Sequence, residues 1–204
     1  ALGCETDTVK FPITFDDKGY VLNVVTDSLG NETSVNIKWK TNGMLANDQL
    51  SIYRRKKGTT AWTLVKSLAS NIGQYTDVNL ETSANSYEYY LKGSVKNTCG
   101  DTVQTAIHNT ILLAANTVTS ANNYGVNLKF TPYKGWSKVA SYQVWVKTDA
   151  DQTYKLDTIL TANDSSVNIK VENVNQLLCY KVLAIESALS GVDSSWSNAN
   201  CVAF

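Results

Sequence analysis

Apolar and polar positions alternate along much of the chain with a period of two. Val35, Ile37 and Trp39 alternate with Asn36, Lys38 and Lys40, and Val126, Leu128 and Phe130 alternate with Asn127, Lys129 and Thr131. This period marks strands with one buried and one wet face. The strands that follow also match. Leu50-Ser51-Ile52-Tyr53-Arg54-Arg55-Lys56 lines up with Tyr142-Gln143-Val144-Trp145-Val146-Lys147-Thr148, and Trp62-Thr63-Leu64 with Tyr154-Lys155-Leu156. The run from Gln74 to Leu80 aligns without a gap to Asn168 to Val174, and Tyr87, Tyr89 and Leu91 correspond to Leu178, Tyr180 and Val182. Five matched strands in one order predict two copies of one module.

Turn signals at Asn42-Gly43, Lys57-Gly58 and Lys134-Gly135 separate these strands. No stretch sustains the 3.6-residue apolar period of a helix. The pattern predicts an all-β chain of two tandem antiparallel Greek-key β-sandwiches, residues 1–113 and 114–204. In each, one sheet takes the first, second and fifth strands (A, B, E) and the other takes C, C′, F and G. The join, HNTILLAANTV, holds no Pro, Gly-rich or charged spacer, so the last strand of one module passes almost directly into the first strand of the next. That predicts a stiff pair.

Composition narrows the chemistry. Eighteen basic residues balance 18 acidic ones, so the chain has no electrostatic footprint for nucleic acid or an anionic membrane. No apolar run approaches the roughly 20 residues of a membrane span. The chain opens on Ala1 without a signal peptide and reads as a mature piece of a longer exported protein. His108 is the single histidine. It lies in the predicted last strand of the first module, away from any nucleophile motif, and is read as a hydrogen-bonded residue near the junction. No GxSxG, HExxH, P-loop or GxGxxG occurs, and no enzyme, cofactor or metal site is expected. Asp16-Asp17 and Asp149-x-Asp151 read as solvated turn residues, with weak calcium binding the alternative.

Outward-facing aromatics are the candidates for ligand contact. Tyr53 and Trp145 hold equivalent positions opposite the core residues Ile52 and Val144, and Trp62 and Tyr154 follow on the next strand. Their recurrence favours a scaffold role in which each ring covers a neighbouring strand; stacking on a sugar or partner is the alternative. Trp136, in the loop after Phe130, is read as packing over the sandwich pole or against the first module, with ligand binding second.

These residues resemble the fibronectin type III pattern: Trp39 (Phe130 in the second copy) takes the place of its core tryptophan. Leu80 precedes the Tyr87-x-Tyr89 strand as that family places a leucine before its strand-F tyrosine. The second copy has Val174 and Leu178 there and departs from the tyrosine corner. A narrower resemblance rests on Cys99-Gly100-Asp101, His108-Asn109-Thr110-Ile111-Leu112-Leu113, Tyr133-Lys134-Gly135-Trp136, Cys179-Tyr180-Lys181-Val182, Ser197-Asn198 and Cys201-Val202. In this order they are similar to paired modules that precede the C-terminal sorting domain of large Bacteroidota surface proteins, including gliding-motility adhesins exported by type IX secretion. The resemblance implies a secreted, cell-surface, non-catalytic spacer whose partners are neighbouring domains of a longer chain. The alternatives are a binding module for a glycan or a secretion or motility protein, and an accessory domain of a secreted hydrolase. O-glycans on Asp-(Ser/Thr)-aliphatic triplets in that phylum make Thr8, Ser28, Thr102 and Thr158 candidate modification sites.

The cysteines Cys4, Cys99, Cys179 and Cys201 are scattered and form no CxxC, which suggests disulfides and an oxidising compartment. In a fibronectin-type sandwich strands F and G are antiparallel neighbours. That layout pairs Cys179 with Cys201 within the second module and leaves Cys4 to pair with Cys99 in the first.

Overall fold

The computed structural model describes residues 21–25, 33–39, 48–94, 102–120, 123–151, 153–187 and 193–204. The first half carries β1 (Val21–Val25), β2 (Ser34–Lys38), β3 (Gln49–Lys56), β4 (Thr63–Ala69), β5 (Gln74–Asp77), β6 (Tyr87–Ser94), β7 (Thr102–Gln104) and β8 (His108–Asn109). The second carries β9 (Leu113–Ser120), β10 (Asn123–Phe130), β11 (Val139–Thr148), β12 (Lys155–Thr161), β13 (Ser166–Val171), β14 (Leu177–Glu186), β15 (Ser194–Trp196) and β16 (Asn200–Ala203). Sheet β1-β2-β5 faces sheet β4-β3-β6-β7, with β8 also on β6; sheet β13-β10-β9 faces β12-β11-β14-β15, with β16 also on β14. All pairings are antiparallel. Each half thus has strands A, B and E on one sheet and C′, C, F and G on the other. The chain is a pair of fibronectin type III-like sandwiches.

The alternating residues fill the interiors as their period requires. Val35, Ile37, Leu50 and Ile52 are buried in the first sandwich, as are Val126, Leu128, Tyr142 and Val144 in the second. Trp39 satisfies its indole N–H on the Ser70 carbonyl at 3.0 Å; Phe130, its counterpart, has no polar atom to satisfy. In the first sandwich the Glu81 N–H donates to the Tyr87 hydroxyl at 3.1 Å, a tyrosine-corner bond that Leu178 at the matching position of the second cannot make.

Two irregularities recur in both copies. The edge strand C′ is bulged opposite Ile52/Tyr53 and again opposite Val144/Trp145, with Val65 and Asp157 as the extra residues. Strand G is broken at Thr105 and at Ser197. There the Leu91 N–H donates to the Thr105 hydroxyl at 3.0 Å, and the Val182 N–H to the Ser197 hydroxyl at 2.8 Å. Each hydroxyl stands in for a missing ladder carbonyl, so strand F keeps its hydrogen bonds while G changes course.

One expected correspondence is corrected. Gln74–Leu80 does not match Asn168–Val174. Asp77 lies opposite the buried Val35, and Ile169 lies opposite the buried Val126. The true partner of Asp77 is therefore Ile169, two residues earlier than the gapless alignment gives. A slip of two keeps every side chain on its face, so the apolar pattern could not detect it.

Candidate functional site

The residues that couple the sandwiches form a densely hydrogen-bonded polar cluster. Between β8 and β9 stand only Thr110, Ile111 and Leu112. Thr110 and Ile111 are buried, as are the flanking His108, Asn109 and Leu113. Backbone groups at such a turn must find partners: Thr110 finds them chiefly in the first sandwich, on the Tyr87 carbonyl and the Ser86 hydroxyl, and Leu112 finds them in the second. The Thr131 N–H donates to the Leu112 carbonyl at 3.0 Å, while the Leu112 N–H donates to the Thr131 hydroxyl at 2.8 Å.

Asn109 extends this clamp. Its side-chain N–H donates to the Pro132 and Thr110 carbonyls at 3.1 Å each. Its side-chain oxygen accepts from the Lys134 N–H, and its own backbone N–H reaches the Lys134 carbonyl. On the other side of the turn, Asn198 accepts from the Leu113 N–H at 2.6 Å and returns a bond to the Leu113 carbonyl at 2.9 Å. Asn200 adds a second donor to that carbonyl at 3.2 Å. The backbone of β1 also lies against β15 of the second sandwich.

The loop 131–138 is shaped to fit the first sandwich. Tyr133 is held by its N–H on the Tyr142 hydroxyl at 2.9 Å, and its own hydroxyl meets His108 Nδ1 at 2.8 Å. Trp136 stacks over Tyr133 with ring centroids 3.9 Å apart and is itself buried. Gly135 has φ of +118°, and a Cβ there would sit 2.2 Å from His108 Nδ1. Only glycine lets the backbone approach the imidazole this closely. Burial disfavours the charged ring and lowers the His108 pKa to about 4.

The aromatic candidates sit elsewhere. Tyr53 stacks on Tyr90 at 4.8 Å, and Trp62 meets Tyr90 edge-on at 4.6 Å. Arg55 lies over the Trp62 ring and pairs with Glu88 at 2.6 Å. Trp145 packs edge-on against Trp196, its indole N–H on the Gln143 side chain. Lys147 and Lys181 flank Tyr154. These rings are partners for one another across the strands. The structure does not bring Tyr53, Trp145 and Trp136 together into one surface.

Cys179 and Cys201 form a disulfide; they oppose each other directly on β14 and β16, Cα–Cα 4.0 Å. Cys4 and Cys99 lie outside the described residues, as do Thr8, Ser28 and Asp16-Asp17. Thr102 opens β7. Thr158 lies opposite the buried Val144 and is half-buried, whereas Ile159 beside it is exposed. Asp151 accepts from Lys155 and from the N–H and hydroxyl of Thr148, bonds that lower its pKa to about 2. Among the described residues no group of three or more His, Cys, Asp or Glu is placed to hold a metal ion, and no helix is long and apolar enough to cross a membrane.

A second polar cluster was not foreseen. Arg54, Asp77 and Tyr89 meet between the sheets of the first sandwich. Arg54 donates to both Asp77 oxygens at 2.9 and 2.7 Å, and the Tyr89 hydroxyl donates to the same carboxylate at 2.9 Å. Burial and then the carboxylate's charge raise the Tyr89 pKa well above its ordinary value. Burial pulls the Arg54 pKa down, but the bond to Asp77 and its charge outweigh this and leave it raised. The available signal was positional: Arg54 is two residues beyond Ile52, on the inward parity.

The fold and its clamped junction define a tandem fibronectin type III-like pair. No family model matches the chain, and no curated protein matches it. A solved structure similar to it is the crystal structure of chicken CNTN1 FN1-FN3 domains, at 15% identity and a TM-score of 0.36, covering 90% of this chain. The chain spans 65% of that structure's length.

Proposed function

We propose that the pair is a rigid spacer and presentation segment of an extracellular cell-surface adhesin, divided at Leu113/Ala114 and without catalysis of its own. The observation that carries this reading is the junction. A three-residue connection with Thr110 bonded to the first sandwich and Leu112 to the second leaves little freedom for swing, unlike a Gly/Ser linker. The Cys179–Cys201 bridge supports an oxidising destination. The resemblance of the junction motifs to paired modules of Bacteroidota surface proteins supports the adhesin context, export by type IX secretion and neighbouring domains as partners.

Small-angle scattering of the purified pair tests the reading. One elongated conformer should fit the whole curve, and Asn109→Gly should broaden the distance distribution. A wild-type curve that needs an ensemble of interdomain angles overturns the spacer reading.

A further inference from the structure

Between the sheets of the second sandwich, on the side of β12 and β13, lies a cleft of about 320 Å³. Val146, Ile169, Val171 and Leu178 wall it, Tyr180 is also part of its lining, and Asp157 contributes a carboxylate. The first sandwich shows what belongs in this space. Val146 lies opposite Tyr180 as Arg54 lies opposite Tyr89. Ile169 holds the position of Asp77, and Asp157 that of the bulge residue Val65. In the first sandwich the interior is closed by its own Arg54, held by Asp77 and Tyr89. The second has the tyrosine, carries a carboxylate at the bulge and has valine where the first has arginine.

We propose that this cleft receives the guanidinium of an arginine side chain from a partner protein, with Asp157 as counter-ion and Tyr180 beside it. The carboxylate of Asp157 has no hydrogen bond or ion pair among the described residues. The other charged residues of the lining, Lys170 and Glu172, pair with each other at 3.7 Å, and nearby Lys155 is held by Asp151. Asp157 stands exposed at the mouth of the cleft, and its partial burial there raises its pKa. Burial and then the Asp157 charge push Tyr180 up to about 12. A cation relieves both.

Arginine fits better than lysine or a metal ion. Its aliphatic stem suits valine, isoleucine and leucine walls, and its planar, weakly hydrated head matches a carboxylate edge-on. A metal would need more ligands than one carboxylate and a phenol.

The test is a ¹H–¹⁵N NMR titration of the full chain with N-acetyl-L-arginine amide. Saturable shifts should centre on Val146, Asp157, Ile169 and Tyr180, in the millimolar range expected of a single side chain. N-acetyl-L-citrulline amide, the neutral isostere, should bind at least about tenfold more weakly, as should the arginine probe to Asp157→Asn. Val146→Arg, which fills the cleft from within as Arg54 does, should abolish the response; should that variant not fold, Asp157→Asn and citrulline decide alone. The proposal is overturned by the absence of saturable shifts at these residues up to about 50 mM. An equal response to citrulline or to N-acetyl-L-lysine amide, or an unchanged one in Asp157→Asn, overturns it too.

Discussion

Removing one partner of the Arg54–Asp77 pair should cost far more than removing all of it. Asp77 is 4% exposed, and the Arg54 side chain is 26% exposed. Arg54→Met strands the carboxylate between the sheets, where an uncompensated buried charge costs about 3–5 kcal/mol. Because the guanidinium is partly solvated, screening places the expected loss near the lower end, about 3 kcal/mol. The second sandwich shows the apolar solution, with Val146 and Ile169 at these positions. Arg54→Met with Asp77→Ile therefore removes both charges at once. It leaves the Tyr89 hydroxyl without its acceptor, a loss of about 1–3 kcal/mol, which Tyr89→Phe removes in turn. The triple variant should match the wild type within about 1 kcal/mol or exceed it. Urea unfolding followed by circular dichroism reads these differences from the midpoint at constant slope. Two results would refute the reasoning: Arg54→Met costing less than about 1 kcal/mol, or a triple variant no more stable than that single one. Either would mean the pair is solvated in solution and contributes only as a surface ion pair does.

The remaining predictions concern the junction and the bridge. Gly135→Ala, which places a methyl 2.2 Å from His108 Nδ1 at a φ of +118°, should lower stability by about 2 kcal/mol; an unchanged melting temperature would show that the loop moves freely. The His108 pKa falls from 6.5 unfolded to about 4 folded, so the unfolded state binds the extra proton between these values. Stability should be fully present above about pH 6.5 and fall by up to about 3 kcal/mol as pH drops toward 4. His108→Gln should flatten that part of the profile. The Cys179–Cys201 bridge spans a sequence separation of 22, and its reduction should cost about 3 kcal/mol, measured with and without reductant. A loss below about 1 kcal/mol would mean that the ladder alone holds β16 in place.

What the chain discloses by itself depends on whether a feature has a period. The second strands were legible because Val35-Ile37 and Val126-Leu128 alternate, and their burial follows. The repeat was legible because the strand-C aromatics Tyr53 and Trp145 recur; the bulge shared by the strands beside them was not. The fifth strand was misplaced by two because parity alone sets a strand's face, and a slip of two conserves parity. That slip matched Asp77 to Val171 instead of Ile169 and left its face unchanged; what no pattern disclosed is that a carboxylate on the inward face is buried with a partner. Arg54 was hidden by the complementary rule that charged residues in a strand face water, which fails where a charge has a buried partner.

The junction was legible only as fragments. Asn109 and Lys134 are 25 residues apart, and Asn198 reaches Leu113 across 85, so no local pattern could join them. Yet three of the segments carrying the surface-protein resemblance, His108-Asn109-Thr110, Tyr133-Lys134-Gly135-Trp136 and Ser197-Asn198, meet there. Each is unremarkable within its own sandwich: a short strand, a loop and a strand break. Two of them act across the boundary: Asn109 bonds the Pro132 carbonyl and the Lys134 N–H of the second sandwich, and Gly135 makes room for an imidazole of the first, while Asn198 fixes the start of β9 where the chain enters the second sandwich. A linker that only had to connect would tolerate any polar residues at these positions. Residues fitted to groups on the neighbouring sandwich indicate instead that the angle between the sandwiches is part of what the sequence specifies.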